Sequence, residues 1–348
     1  MRGSVWRRRP WWRRLGVAGG FGLAVLIASI VLIALLERRG AGGEARELVE
    51  YAREKGTDVI PFIVAAGRAN RLLFLGDVAG LTEPKRIAAD AIEALGRGPG
   101  LDAVVLAVPS DFQPRVDAYL NSDPEDAALL LAQPATMRGW TGASRQYLEI
   151  YRRVWRLNGE LGPDRQIRVI AADLPEWPPR DAVGPREAVE LYARRDEHMA
   201  EVVEVEVFAF NPRARVLFFM DGLNVLRGVA GALQTGGSAP VQVEWLAARM
   251  AARDPGSVYT ILIDGAAHAP ESGPVASYAS TRAAEVLRGQ VETARGALAM
   301  PVGSPFAFLR NPLLVATGPG VQLSFEPAGY RLPDVVDGYI LLGGARRL

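Results

Sequence analysis

Five nearly continuous apolar runs limit what this 348-residue chain can fold into more than any other feature. They are Arg71–Gly76 (RLLFLG), Asp102–Val108 (DAVVLAV), Gln166–Ala171 (QIRVIA), Arg215–Met220 (RVLFFM) and Val258–Ile263 (VYTILI). Runs this short, with little polar alternation, suit strands covered on both faces. Weaker runs at Leu313–Ala316 and Gly338–Leu342 read as further strands. Between them, Glu83–Leu95 (behind the N-cap candidate Thr82), Gly142–Arg156, Pro185–Phe208, Val241–Ala252 and Thr281–Arg295 read as helices. Strand then helix, repeated, predicts an α/β fold: a mainly parallel sheet flanked by helices on both faces. Leu174–Pro185 and Gln234–Pro240 are loops, and Gly96-Arg97-Gly98-Pro99-Gly100 precedes a strand, so it is a turn and not a dinucleotide loop. With no internal repeat, residues 44–348 are expected to form one globular domain.

The N-terminus predicts a different environment. Residues 15–36 (LGVAGGFGLAVLIASIVLIALL) carry no charge over 22 positions. As a helix rising about 1.5 Å per residue, they span roughly 33 Å, enough for a hydrocarbon core of about 30 Å. Arg2, Arg7, Arg8, Arg9, Arg13 and Arg14 precede the run, whereas only Arg38 and Arg39, beside Glu37, follow it. The positive-inside rule then predicts a cytoplasmic tail (1–14), a membrane helix (15–36), a linker (37–43) and a domain outside the cytoplasm, anchored in the inner membrane. Trp6, Trp11 and Trp12 suit the interface. A cleaved signal peptide fits less well, because the run exceeds the usual apolar core and no A-x-A site follows. The expected partner of residues 15–36 is the lipid bilayer.

Composition removes several chemistries. The chain has no cysteine, which excludes disulfides, thiolate metal sites and a cysteine nucleophile. Formal net charge is +1, so no global field recruits nucleic acid. The basic residues are arginines except Lys55 and Lys85, and the only histidines are His198 and His268. No G-x-S-x-G elbow, phosphate-binding loop or H-E-x-x-H motif is present. No cofactor or metal is expected.

Ligands of such sheets bind beyond the carboxyl ends of the strands. Residues following the strands are Asp77, then Ser110 and Asp111, then Asp173, then Asp221 and Asn224, then Asp264 and His268. Carboxylates converging on one rim can hold a hard cation or act as acid and base. Each of them alone is better explained as a turn-former or helix cap. His198 lies among charges in a helical stretch and reads as a solvated side chain, while His268 in a post-strand loop is the better functional candidate.

The order of segments resembles the superfamily that includes erythromycin esterases, ChaN-like haem-iron proteins and TIKI/TraB-type proteins. Its members carry a strand ending in Gly-Glu-x-His-Gly, a second strand ending in Glu, a helix with Arg-Asp-x-x-Met-Ala and a later Gly-Asn-x-His-like loop. Matching segments run in order from about Arg71 to Leu342: Leu73-Phe74-Leu75-Gly76-Asp77, Val104-Val105-Leu106-Ala107, Arg195-Asp196-Glu197-His198-Met199-Ala200, Met220-Asp221-Gly222-Leu223-Asn224 and Val336-Asp337-Gly338-Tyr339-Ile340. The resemblance implies the family's fold. It also implies a lost site, because the family's histidines fall on Ala79 and Asn224, its strand-end glutamate on Ala107 and its first glutamate on Asp77. Alanine can neither accept a proton nor bind a metal.

Three functions follow as expectations. The first is a non-catalytic, membrane-tethered domain binding a protein partner or a small apolar ligand through Asp77, Arg195, Asn224 and Asp264. The second is a hydrolase with a rebuilt carboxylate site using Asp77, Asp221, Asp264 and His268. The third is a structural component of an envelope complex.

Overall fold

The computed structural model describes residues 43–78, 81–131, 145–177, 184–228, 231–235, 239–265, 281–291, 296–309, 314–318, 321–325 and 330–343. The tail, the apolar span and the linker as far as residue 42 lie outside them, and helical residues begin at 43. Among the described residues no helix is long and apolar enough to cross a membrane.

Each of the five apolar runs becomes a strand of one sheet: β1 (Leu72–Asp77), β2 (Ala103–Pro109), β3 (Arg168–Asp173), β4 (Val216–Asp221) and β7 (Val258–Gly265). β11 (Gly338–Leu342) and β8 (Ala297–Pro301) complete it, in the order β3-β2-β4-β1-β7-β11-β8. Every pairing is parallel except that of β11 with β8. Alternate residues of the runs feed two separate cores. Leu72, Phe74, Phe218 and Leu262 pack on one side, whereas Leu73, Leu75, Phe219 and Ile263 pack on the other. That is why the strands show no polar alternation. Phe74 and Phe218, paired in register, stack with ring centroids 4.1 Å apart.

Helices cover both faces. The second core is closed by α1 (Val59–Ala69), α2 (Glu83–Arg97), α3 (Gln113–Leu120) and α4 (Arg145–Glu160). The first is closed by α5 (Pro185–Val203), α6 (Leu246–Arg253) and α7 (Arg282–Val291). α5 continues into a π-helical turn at Glu204–Phe208. α2 runs through Gly96 and Arg97, so the turn expected at Gly96–Gly100 is confined to Gly98–Gly100, where Gly100 takes the left-handed conformation (φ +94°) that glycine adopts without strain.

The sequence reading needs two corrections. Val241–Ala252 is not one helix: Val241–Val243 is strand β6, and α6 starts only at Leu246. Val241, Val243 and Trp245 alternate with polar residues as a strand does, and the helical period begins just after them. A second sheet was also not anticipated. It is four-stranded and antiparallel, ordered β6-β5-β10-β9, with β5 at Gly231–Thr235, β9 at Leu314–Gly318 and β10 at Val321–Phe325.

One border of the large sheet is β3, and one side chain covers part of it. Gln113 Nε2 donates to the Val169 carbonyl (2.9 Å), and its Oε1 accepts from the Ala171 N–H (2.7 Å).

Candidate functional site

The carboxyl edge of the sheet gathers four strand-end carboxylates: Asp173, Asp221, Asp77 and Asp264 on β3, β4, β1 and β7. Asp77 and Asp221 are register partners on neighbouring strands. Strands lie about 4.8 Å apart and paired residues point the same way, so these two side chains are neighbours on one face.

Asp77 is buried, with a partner on each oxygen. Lys85 Nζ, in the first turn of α2, lies 2.7 Å from Oδ1 and also donates to the Val78 carbonyl at 3.0 Å. Tyr147 of α4 donates its hydroxyl to Oδ2 at 3.2 Å. The Lys85 side chain has no exposed surface. Its charge is therefore tolerable only because a carboxylate and a carbonyl meet it.

Asp221 is partly exposed, and its Oδ1 accepts the Leu223 N–H at 3.0 Å. Among the described residues it has no ion-pair partner. Burial pushes its carboxyl up to about 6, with the Asp77 charge adding; the Leu223 N–H and the Arg195 guanidinium oppose the rise.

Asp173 is held from α5 by Arg195, whose Nε donates to Oδ1 (3.0 Å) and whose terminal nitrogen donates to Oδ2. This two-point fork leaves the guanidinium face on Trp177, 4.7 Å from the ring centroid. The next residue, Asp196, is also buried. It accepts Asn224 Nδ2 at 2.9 Å and the Leu246 N–H, at the start of α6, at 2.6 Å. Burial raises the Asp196 carboxyl to about 6; the bonds from Asn224 and Leu246 and the Arg195 charge lower it, and Asp173 raises it. Asn224 thus ties the loop after β4 to α5.

Asp264 belongs to the other side of the sheet from Asp77. Ile261 and Ile263 pack in the core beneath α2 and α4, so the next residue points the opposite way. There Oδ2 accepts the Thr281 N–H (2.8 Å), the Thr281 hydroxyl (2.6 Å) and the Tyr339 hydroxyl (2.9 Å). Burial drives the Tyr339 phenol well above its ordinary value, and the Asp264 charge adds to this.

The rim expected from the sequence is therefore divided. Asp77 and Asp221 come together, Arg195 and Asn224 support the neighbouring loops, and Asp264 faces away. The last point corrects the expectation of a single carboxylate cleft, and follows from the two-residue period of a strand. His268 and Ala79 lie outside the described residues. Ala107 is buried in the core under α5. Among the described residues, no three His, Asp or Glu side chains are grouped to hold a metal ion.

Two members of the site were missed by sequence reasoning, and one had left a signal. Lys85 stands at i, i+3, i+7 and i+10 with Ala88, Ile92 and Leu95, on the apolar stripe of its helix, where a charge needs a buried partner. Tyr147 left none, since tyrosine is at home in any amphipathic helix.

His198, read as solvated, is half-buried, and its Nε2 lies 3.3 Å from Ser110 Oγ.

No family model and no curated protein matches the sequence. Among solved structures, an erythromycin esterase mutant in its open conformation superposes with a TM-score of 0.54 at 11% identity, covering 82% of this chain and 94% of the esterase. A Bacillus cereus protein gives 0.56 at 9% identity, over 86% and 98%. A succinoglycan biosynthesis protein gives 0.51 at 7%, over 86% and 97%. The chain has the erythromycin-esterase-like fold that the order of its segments led us to expect; identities this low speak to the fold alone.

Proposed function

We propose that this chain is a binding domain of esterase-like fold whose Asp77 position does not activate water, anchored in the cell membrane by residues 15–36 with the domain outside the cytoplasm. One observation carries the reading. Where the resemblance places the family's first glutamate, both oxygens of Asp77 are committed, one to the Lys85 ammonium and one to the Tyr147 hydroxyl. A base that activates water must meet that water directly, and these two partners stand at both oxygens. Ala107 and Asn224, at two further reactive positions, add no base. Asp77 is 5% exposed, so we place recognition on the surface of the domain, and a protein is the partner we favour. The anchor rests on the uncharged 22-residue run, and the orientation on six arginines before it against two after.

The direct test uses the full chain in detergent, screened against esters, peptides and lactones with and without divalent metals. No turnover dependent on Asp77 is expected. Robust turnover that disappears in Asp77→Asn would overturn the proposal. Alkaline extraction of membranes tests the anchor, which should resist release.

A second reading, a hydrolase rebuilt around Asp77 and Asp221, is favoured by the raised Asp221 carboxyl next to a second carboxylate. It requires activity that is lost in Asp221→Asn with the fold intact.

A further inference from the structure

We propose that Ser110 and His198 form a separate acyl-transfer site, a nucleophile–base dyad for small neutral or amine-bearing esters. Ser110 follows β2 directly and opens the turn Ser110–Phe112, while His198 reaches it from α5. The 3.3 Å between Oγ and Nε2 is the loose hydrogen bond expected of such a pair without substrate. Both side chains are only partly buried, so a substrate can reach them. Neither belongs to the Asp77–Asp221 site.

The pair borders a cavity of about 300 Å³, whose walls include Ala171, Val202 and Val205. That volume is at the small end for ligand pockets and its apolar walls suit a short acyl chain. Glu201 and Glu206 also line it, which disfavours a substrate carboxylate. Arg168 offsets the charge of Glu206 at 3.0 Å.

With the imidazole proton on Nδ1, Nε2 takes the Ser110 proton as Oγ bonds to the ester carbonyl carbon. The carbon–oxygen bond to the leaving alcohol breaks, and His198 returns the proton to that alkoxide. Water then attacks the acyl carbon, giving its proton to His198. The acyl–Oγ bond breaks, the free acid leaves and Ser110 recovers its proton. Among the described residues no carboxylate is bonded to Nδ1, so the rate is that of a dyad, about 10⁴-fold below a full triad.

The test is to treat the full chain in detergent with a fluorophosphonate and map the adduct by mass spectrometry, alongside p-nitrophenyl butyrate hydrolysis. The adduct is expected on Ser110, with labelling abolished in Ser110→Ala. Ester hydrolysis should fall at least about 100-fold in Ser110→Ala and in His198→Gln. Circular dichroism establishes that each variant is folded. A folded protein that takes up no label, label on another serine, or a rate indifferent to Ser110 overturns the proposal. Hydrolysis that depends on Asp77 or Asp221 but not on Ser110 overturns it too, and assigns the activity to the rebuilt carboxylate site.

Discussion

The Lys85 ammonium lies 2.7 Å from the Asp77 carboxylate, with the lysine wholly out of water and the aspartate 5% exposed. The pair joins the end of β1 to the first turn of α2, eight residues further on. It holds in place the strand end around which folds of this kind build their sites. Desolvating both charges offsets much of their attraction, so the pair contributes specificity of position more than stability.

Breaking the pair on one side is therefore expected to be severe. Lys85→Ala should cost about 3–5 kcal/mol, because Asp77 remains buried without its cation. The double replacement Lys85→Met with Asp77→Leu should recover most of that loss. Urea unfolding checks both variants, and a Lys85→Ala cost under about 1 kcal/mol contradicts the buried geometry.

Asp196 should make stability depend on pH. Its folded carboxyl sits at about 6, above the roughly 3.9 of an unfolded chain. Between those values the native state binds more protons than the unfolded one, so this group's contribution is full below about pH 4 and is lost as pH rises through 6. The amount is on the order of 3 kcal/mol. Asp196→Asn keeps an oxygen for Asn224 and Leu246, so its melting temperature should drop less between pH 4.5 and 7 than the wild type's. Equal drops would remove Asp196 as the cause.

Arg195 should resist its conservative replacement. Lysine cannot make the two-point bond to Asp173 and also lay a flat cation on Trp177. Arg195→Lys is expected to lose about 1–3 kcal/mol and to shift the Trp177 fluorescence. An unchanged spectrum would mean that the stacking does not persist in solution.

At the opposite face, Tyr339→Phe removes one donor to Asp264 and should cost about 1–3 kcal/mol. Thr281→Val should cost more, since the Thr281 hydroxyl touches Asp264 and Tyr339 and also accepts the Ala284 N–H at 3.3 Å. Thermal unfolding ranks them, and the reverse order would refute the arrangement.

Much of the large sheet was legible because burial on both faces leaves a pattern within six or seven residues. Leu72–Leu75 and Val216–Met220 show it without help from the rest of the chain. Of the second sheet only β9 was legible, in the run Leu313–Ala316. Gly231–Thr235 is a short strand with a glycine and a glutamine, and Val241–Val243 has only three residues. Such strands are defined by their partners, which a local pattern does not contain. The candidate site divides the same way. Asp77, Asp221 and Asp264 could be placed at strand ends, but Asp264 was assigned to the wrong side, although counting by twos from Leu262 would have corrected it. Lys85 was readable as a charge on an apolar stripe. The clasp of Arg195 on Asp173, 22 residues apart, depends on how α5 crosses the sheet, and nothing in either segment specifies that crossing.

The Gln113 amide meets the Val169 carbonyl and the Ala171 N–H as a neighbouring backbone would. An extended peptide from another molecule approaching that flank finds those two main-chain groups already matched. Copies of this protein thus cannot lengthen the sheet there into a fibre without first evicting a side chain, and any pairing through that flank must rely on shape and charge.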